Sequence, residues 1–245
     1  MEEKNIPFEK TIPGIYEKYL GPHLYEPYSV YVTSRIKGHP KKVLEIGVGS
    51  GRLTNHLSKK LGAQAMLHAI DINTNMLEIA REKVKASNVE FLVADAQSLP
   101  FPDHSFDCVI CQFSFMFLPD KQKGFNEAWR VLKHGGQFIF LTWDKAENNR
   151  TLHISQQTIL EFLKNEPPAY FGKAYAAMNN PDVLLDYTRA AGFENTSIEK
   201  ITLTGQSPTA MDAATGFVEG NSIISSHTRT SSFTNKNGEG NSSIY

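Results

Sequence analysis

Apolar residues recur with two different periods along this chain, and the alternation between them is its main structural signal. Between residues 41 and 143, short apolar runs at Val43 to Ile46, Ala65 to Ile70, Glu90 to Ala94, Phe106 to Phe113 and Gly136 to Thr142 read as buried strands. Amphipathic segments near Arg52 to Leu61, Asn75 to Ala86 and Lys121 to Leu132 fall between them and read as helices. The last of these runs into Leu132-Lys133-His134-Gly135-Gly136, basic residues followed by glycines, which is a helix stop. Repeated strand–helix–strand units predict an α/β fold, a doubly wound and mostly parallel sheet.

Outside residues 39–143 the pattern changes. Residues 14–37 place Tyr16, Tyr19, Leu20, Tyr25, Tyr28, Tyr31 and Ile36 on one or two short helices, an N-terminal helical cap over residues 1–38. These tyrosines either close a ligand pocket or pack on the sheet edge with their hydroxyls in water. Residues 144–192 carry helical segments interrupted by Glu166-Pro167-Pro168-Ala169-Tyr170-Phe171-Gly172 and read as a helical lid inserted after the fifth strand. A helix from Asp182 to Ala191 stops at Gly192, Phe193 to Leu203 reads as a sixth strand, and a further helix starts near Thr209, so residues 193–224 are expected to complete the core. From residue 225 to 245 the chain is polar: thirteen of its last twenty residues are Ser, Thr, Asn or Gly, too little apolar surface to offset ordering entropy, and a disordered tail is expected.

Composition narrows the function. The 245 residues carry a formal net charge of −1 with no long basic run, so attraction to phosphate backbones does not dominate binding and nucleic acid is not the expected partner. No apolar run reaches the roughly 20 residues of a membrane span, and Met1-Glu2-Glu3-Lys4-Asn5 does not open a signal peptide, so a cytoplasmic protein, monomer or homodimer, is expected. The two cysteines, Cys108 and Cys111, sit three apart on one apolar strand and therefore face opposite ways, as packing residues rather than a redox pair or half a metal site. No metal site is expected.

Candidate chemistry starts at Val43-Leu44-Glu45-Ile46-Gly47-Val48-Gly49-Ser50-Gly51, a strand running into glycines at alternate positions. Such a turn tolerates positive φ and lets backbone N–H groups approach a ligand. The dinucleotide pattern G-x-G-x-x-G needs glycine at position 52, which is Arg52, and no phosphate-binding G-x-x-x-x-G-K-S/T is present, so a nicotinamide-dependent oxidoreductase is disfavoured. Asp71 ends the second strand, where an acid either caps the next helix or accepts hydrogen bonds from the vicinal hydroxyls of a ribose. Asp95, with Ala96, ends the third strand and either forms a turn or reads the edge of an adenine.

Together these segments resemble the class I S-adenosylmethionine-dependent methyltransferases, in the branch containing the ubiquinone and menaquinone C-methyltransferases. Residues 43–51 look like the family's first motif, Asp71 like its ribose-binding acid, and Asp95-Ala96 like its adenine-binding pair. Leu99-Pro100-Phe101-Pro102-Asp103-His104-Ser105-Phe106-Asp107 and Ala128-Trp129-Arg130-Val131-Leu132-Lys133-His134-Gly135-Gly136 are similar to its fourth-strand entry and post-helix signature. The resemblance covers residues 40–143. It implies a Rossmann-like methyltransferase fold with a seven-stranded sheet, and S-adenosyl-L-methionine as cofactor with S-adenosyl-L-homocysteine as product. It further implies that Gly47, Gly49 and Gly51 border the methionine part, that Glu45 reaches the methionine amino group through water, that Ile72 packs on the adenine, and that Gln112 or Phe113 lies near the sulfonium.

The acceptor is less legible. Gln112 to Asp120 forms an apolar rim without the Pro-Pro-aromatic motif that amino-methylating nucleic-acid enzymes carry there. Phe115, Phe117, Trp143, Tyr170, Phe171 and Tyr175 suggest a small apolar or aromatic acceptor, with C-, O- and N-methylation all open. His153, Asp144 and Tyr170 are conceivable bases, and no catalytic residue is assigned. The seventh, antiparallel strand implied by the resemblance has no apolar run to form it near the C-terminus. A cofactor-binding but catalytically impaired interaction module is therefore the alternative to a methyltransferase.

Overall fold

The computed structural model describes residues 12–151, 153, 154, 157, 161 and 178–220. The expected lid therefore lies largely outside the described residues, as do the 221–245 segment, Tyr170, Phe171 and Tyr175. Among the described residues five strands, β1 (Lys42–Ile46), β2 (Met66–Asp71), β3 (Val89–Val93), β4 (Phe106–Gln112) and β5 (Leu132–Leu141), form one sheet in the order β3-β2-β1-β4-β5. Every pairing is parallel, with Val43 opposite Leu67 on one side and Cys108 on the other. The chain winds outward from β1 to β3 and then returns to place β4 on the other side of β1. The switch in strand order, where open parallel sheets bind ligands beyond their carboxyl ends, thus falls between β1 and β4.

Helices cover both faces. On one side α5 (Lys121–Val131) and α6 (Pro181–Ala191) bury Phe125 and Leu184 against Leu44, Ile46, Val109, Cys111 and Phe115. On the other, α2 (Glu26–Ser34) and α3 (Arg52–Leu61) bury Val32, Leu53 and Leu57 against Val43, Leu67, Cys108 and Ile110. Cys108 and Cys111 thus fall in opposite cores, and burial pushes both thiols up to about 12, which leaves them as inert packing groups. Side-chain caps start the helices where the sequence provides them: Asn73 accepts the N–H of Met76 for α4 (Thr74–Lys83), Asp120 that of Lys123 for α5, and Asn180 that of Asp182 for α6. Gly192 stops α6 at φ 105°, with the Trp129 ring so close that a Cβ there would meet it at 3.0 Å.

The two expected signature segments form one joint. Arg130 on α5 donates to the carbonyls of Leu99 and Phe101 and to the carboxylates of Asp103 and Glu127, while Glu127 accepts the N–H of Leu99. This pins the loop before β4 to the helix before β5.

Two expectations need correction. β5 begins at Leu132 rather than Gly136, because residues 133–136 bulge out of register, with Gly135 at φ 74°, before pairing resumes at Gln137. The sixth strand expected at Phe193 to Leu203 is not formed: residues 193–208 include no strand. Contacts from α2 hold this segment in place. Tyr31 donates to Glu199 at 2.8 Å, Arg35 pairs with the same carboxylate at 3.0 Å, and Tyr28 meets the backbone at Leu203. A cavity of about 1130 Å³ lies between it and β5. The helix expected near Thr209 is α7 (Ala210–Glu219). At the N-terminus, a four-residue α1 (Ile12–Ile15) leads into a π-helical strap, Tyr16–Tyr25, and then α2. Gly216 and Gly220 of the α7 region lie against the strap at Tyr19, Leu20 and Tyr16.

Candidate functional site

The strand tips at the switch point are built around the glycine turn. Gly47, Gly49 and Gly51 have φ of 75°, 55° and 78°, a region that residues with a Cβ avoid. Gly47 and Val48 donate to the carbonyl of Ile70 at 2.9 and 3.1 Å, which clamps the turn to β2. A Cβ on Gly47 would lie 2.0 Å from the Ser114 hydroxyl beyond β4, and one on Gly51 would lie 2.9 Å from Ala80 of α4. These two glycines are required by packing. Gly49 differs: a Cβ there would meet nothing within 4 Å, so its left-handed backbone opens onto free space, as a ligand cradle requires.

Two acids lie near this turn. Asp71 accepts the N–H of Gly49 at 2.8 Å and of Asn73 at 2.9 Å, one on each carboxylate oxygen. Its helix-capping alternative is not realised, because Asn73 caps α4. The remaining lone pairs of Asp71 are those a pair of ribose hydroxyls would use. Glu45 is 1% exposed, and burial pushes its carboxyl up to about 8, with the nearby Thr54 pulling it part of the way back and the Asp71 charge adding to the rise. Its Oε2 is buried and has no partner among the described residues. A buried carboxyl oxygen without a partner, next to a glycine cradle, fits a ligand ammonium group.

Farther along the tips, Ile72 is 69% exposed, an apolar side chain left in water beside Asp71. Asp95 accepts the backbone N–H of Gln97 at 2.8 Å and the Gln97 amide at 3.2 and 3.3 Å, so its turn-forming contacts are present, and Ala96 beside it is buried. Gln112 spends both amide contacts on the strap and α2, donating to the carbonyl of Tyr25 at 3.3 Å and the hydroxyl of Ser29 at 3.1 Å, while its Oε1 is buried without a partner.

Phe113 follows with φ 58°, a strained conformation for a bulky residue at the end of a central strand. Its ring stacks on Trp143 with centroids 3.8 Å apart and planes 4° from parallel. Tyr25 and Tyr28 meet both rings edge-on at 5.2 to 6.0 Å. The cavity beside β5 opens at this cluster: Phe113, Trp143, Tyr28 and Leu24 line it, together with the polar residues His23 and Thr142. Of the other aromatics expected there, Phe115 is not a pocket residue: it is 1% exposed and packs in the core on Phe125 and Phe138, and Phe117 points outward, 49% exposed. Asp144 is ill suited as a base, because Lys200 at 2.5 Å and its other donors hold its carboxyl below the usual range.

The sequence reading missed Glu17, which no local motif announces. Glu17 accepts the Ser50 hydroxyl at 2.6 Å and the Arg52 guanidinium at 2.5 Å, and it pairs with Lys83. Next to it, Tyr16 packs on Tyr25 at 5.2 Å, and burial, aided by the charges of Glu17 and Asp71, raises its phenol. Arg52, where a third dinucleotide-type glycine would stand, also donates to Glu26 at 2.7 Å. Among the described residues no group of three or more His, Cys, Asp or Glu is placed to hold a metal.

Comparison with known proteins identifies the family and the fold. The family described as a methyltransferase domain matches residues 44–140. The ubiquinone/menaquinone biosynthesis C-methyltransferase UbiE of Marinomonas sp. is 32% identical over 173 residues, 65% of this chain and 69% of that protein. UbiE of Edwardsiella ictaluri is 32% identical over 176 residues, 66% of this chain and 70% of its own length. Among solved structures, an S-adenosylmethionine-dependent methyltransferase from Aquifex aeolicus superposes with a TM-score of 0.54 at 22% identity, over 79% of this chain and 93% of the other. An arsenic(III) S-adenosylmethionine methyltransferase from Chlamydomonas reinhardtii gives 0.50 at 23%, over 69% and 62%. At these identities the two structures establish the shared fold.

Proposed function

Because the chain belongs to the class I S-adenosylmethionine-dependent methyltransferases, in the branch of the ubiquinone/menaquinone C-methyltransferases, we propose that it methylates a ring carbon of a small quinone-like acceptor seated against Phe113 and Trp143. The observation that carries this reading is the four-ring cluster at the tip of β4, where Phe113, Trp143 and Tyr28 line the cavity beside β5.

The residues at the strand tips fit the cofactor. Gly49 leaves room for it, Asp71 offers carboxylate lone pairs to its ribose, Ile72 an apolar surface to its adenine, and Glu45 the unpartnered Oε2 to its amino group. When bound, the cofactor supplies a methyl group already activated by a sulfonium.

The chain then has to hold the acceptor ring in line with that methyl, which is chiefly a matter of orientation. Trp143, Phe113, Tyr25 and Tyr28 present ring faces and edges that suit a flat, electron-rich acceptor and that attract a nearby cation. His23 and Thr142 are polar residues of the same cavity lining, and a hydrogen bond from either would select an oxygenated ring over a plain hydrocarbon. An oxygenated ring supplies its own electron density at carbon; the S–CH3 bond breaks as the ring C–CH3 bond forms, and the ring-carbon proton then leaves to restore aromaticity, with Asp144, tied to Lys200, not the group that takes it. No helix among the described residues is long and apolar enough to cross a membrane.

Incubation with methyl-13C S-adenosyl-L-methionine and a reduced benzoquinone or naphthoquinone tests the reading. The expected product carries the label on a ring carbon; a label on oxygen, or transfer only to non-aromatic amines, overturns it.

A further inference from the structure

The strap Tyr16–Tyr25 touches both halves of the site, and one carboxylate fastens it. Glu17 receives donors from three separate elements: Ser50 in the glycine turn at 2.6 Å, Arg52 at the start of α3 at 2.5 Å, and Lys83 at the end of α4. Ser50 sits between Gly49 and Gly51 and is 2% exposed, so this contact reaches the cradle itself. The Arg52 side chain also bonds the Glu17 carbonyl at 3.3 Å and Glu26 beyond the strap at 2.7 Å. At its far end the strap delivers Tyr25 to the Phe113–Trp143 stack, and the Gln112 amide holds the Tyr25 carbonyl. Tyr16, adjacent to Glu17, packs on Tyr25 and so joins the two ends.

A charged group that ties a short segment to three elements sets how often that segment lifts. We propose that Glu17 is a positioning residue that locks the strap over the glycine turn, slowing escape of the cofactor and assembling the acceptor wall only when the strap is down. Cofactor then binds before acceptor, since the same ten residues that cover the cofactor turn carry Tyr25 into the acceptor cluster. This rests on the cofactor lying in the glycine turn.

The test is the dissociation rate of S-adenosyl-L-homocysteine from the full chain, measured by chase with excess unlabelled ligand. Glu17→Gln keeps the shape and removes the charge, and is expected to raise that rate tenfold or more, with KM rising for both S-adenosyl-L-methionine and the acceptor. Glu17→Asp should recover part of the loss. Raising the salt concentration should speed release from the wild type and have little effect on Glu17→Gln, which a purely structural role would not produce. Lys83→Met, at the more exposed side of the knot, gives a second reading should Glu17→Gln fail to fold, with a several-fold rise expected. Release rates within twofold of wild type in these variants overturn the proposal while leaving the cofactor placement intact. Failure of the wild type to bind the ligand at all overturns that placement, and the proposal with it.

Discussion

The main-chain N–H of Gly49 donates a 2.8 Å hydrogen bond to Oδ2 of Asp71, so the turn after β1 and the acid ending β2 form a single unit although 22 residues separate them. The bond holds one oxygen of the carboxylate against the turn. It also means that the Asp71 carboxylate and the glycine turn cannot move independently, and that damage to one is felt at the other.

The glycines of the turn should separate by function. Gly47→Ala drives a Cβ into the Ser114 hydroxyl and Gly51→Ala drives one onto Ala80, so both variants should lose stability by more than the roughly 1–2 kcal/mol of left-handed strain alone. Gly49→Ala carries only the strain, but its methyl enters the cradle. Denaturant melts and S-adenosyl-L-homocysteine titrations should therefore rank the variants in opposite orders, with Gly49→Ala the most stable of the three and yet strongly impaired in binding.

Glu45 gives a pH dependence with a defined sign. Its carboxyl is pushed up to about 8 in the folded chain, whereas in the unfolded chain it titrates near the ordinary glutamate value of about 4.3. Between those values the folded state holds a proton that the unfolded state has lost. Stability therefore falls as pH rises through this window, by at most about 1.4 kcal/mol per unit, and the loss levels off above 8. Denaturant titrations from pH 5 to 9 should show this slope in the wild type and a flatter one in Glu45→Gln. A ligand ammonium at Oε2 favours the ionised form, so cofactor affinity should rise with pH across the same window and binding should release protons, visible as a buffer-dependent calorimetric enthalpy.

Much of this was legible in the sequence because the informative contacts are local or periodic. Strand alternation places Cys108 and Cys111 on opposite faces, and Gly47, Gly49 and Gly51 mark a turn in which all three have positive φ. The Leu99 to Asp107 and Ala128 to Gly136 segments were recognisable as separate signatures; only the structure shows that Arg130 binds them together. Glu17 was invisible for the opposite reason, since its partners lie 33, 35 and 66 residues away and a single glutamate on a short helix carries no pattern. Residues 193–203 have the apolar alternation of a strand, but Tyr28, Tyr31 and Arg35 hold this segment to α2 and a cavity lies between it and β5. Phe115 looked like a pocket residue because position on a strand tip does not reveal which face a ring takes, and it turned inward to Phe125.

The aromatic cluster should affect acceptor and cofactor differently. Trp143→Phe keeps a ring against Phe113 but shrinks the stack and alters the edge contacts from Tyr25 and Tyr28. Aromatic pairs of this kind are worth about 0.5–1.5 kcal/mol. The acceptor KM should accordingly rise roughly two- to tenfold, with S-adenosyl-L-homocysteine affinity unchanged. A matching loss of cofactor affinity would mean that the stack belongs to the cofactor side.

The claim on which the rest depends is that the glycine turn, Glu45 and Asp71 hold the cofactor, and calorimetric titration of S-adenosyl-L-homocysteine into wild type and Asp71→Ala tests it most directly. Saturable binding at one site per chain is expected in the wild type, weakened at least tenfold in a variant that still melts cooperatively. Equal affinity in the two proteins would contradict it.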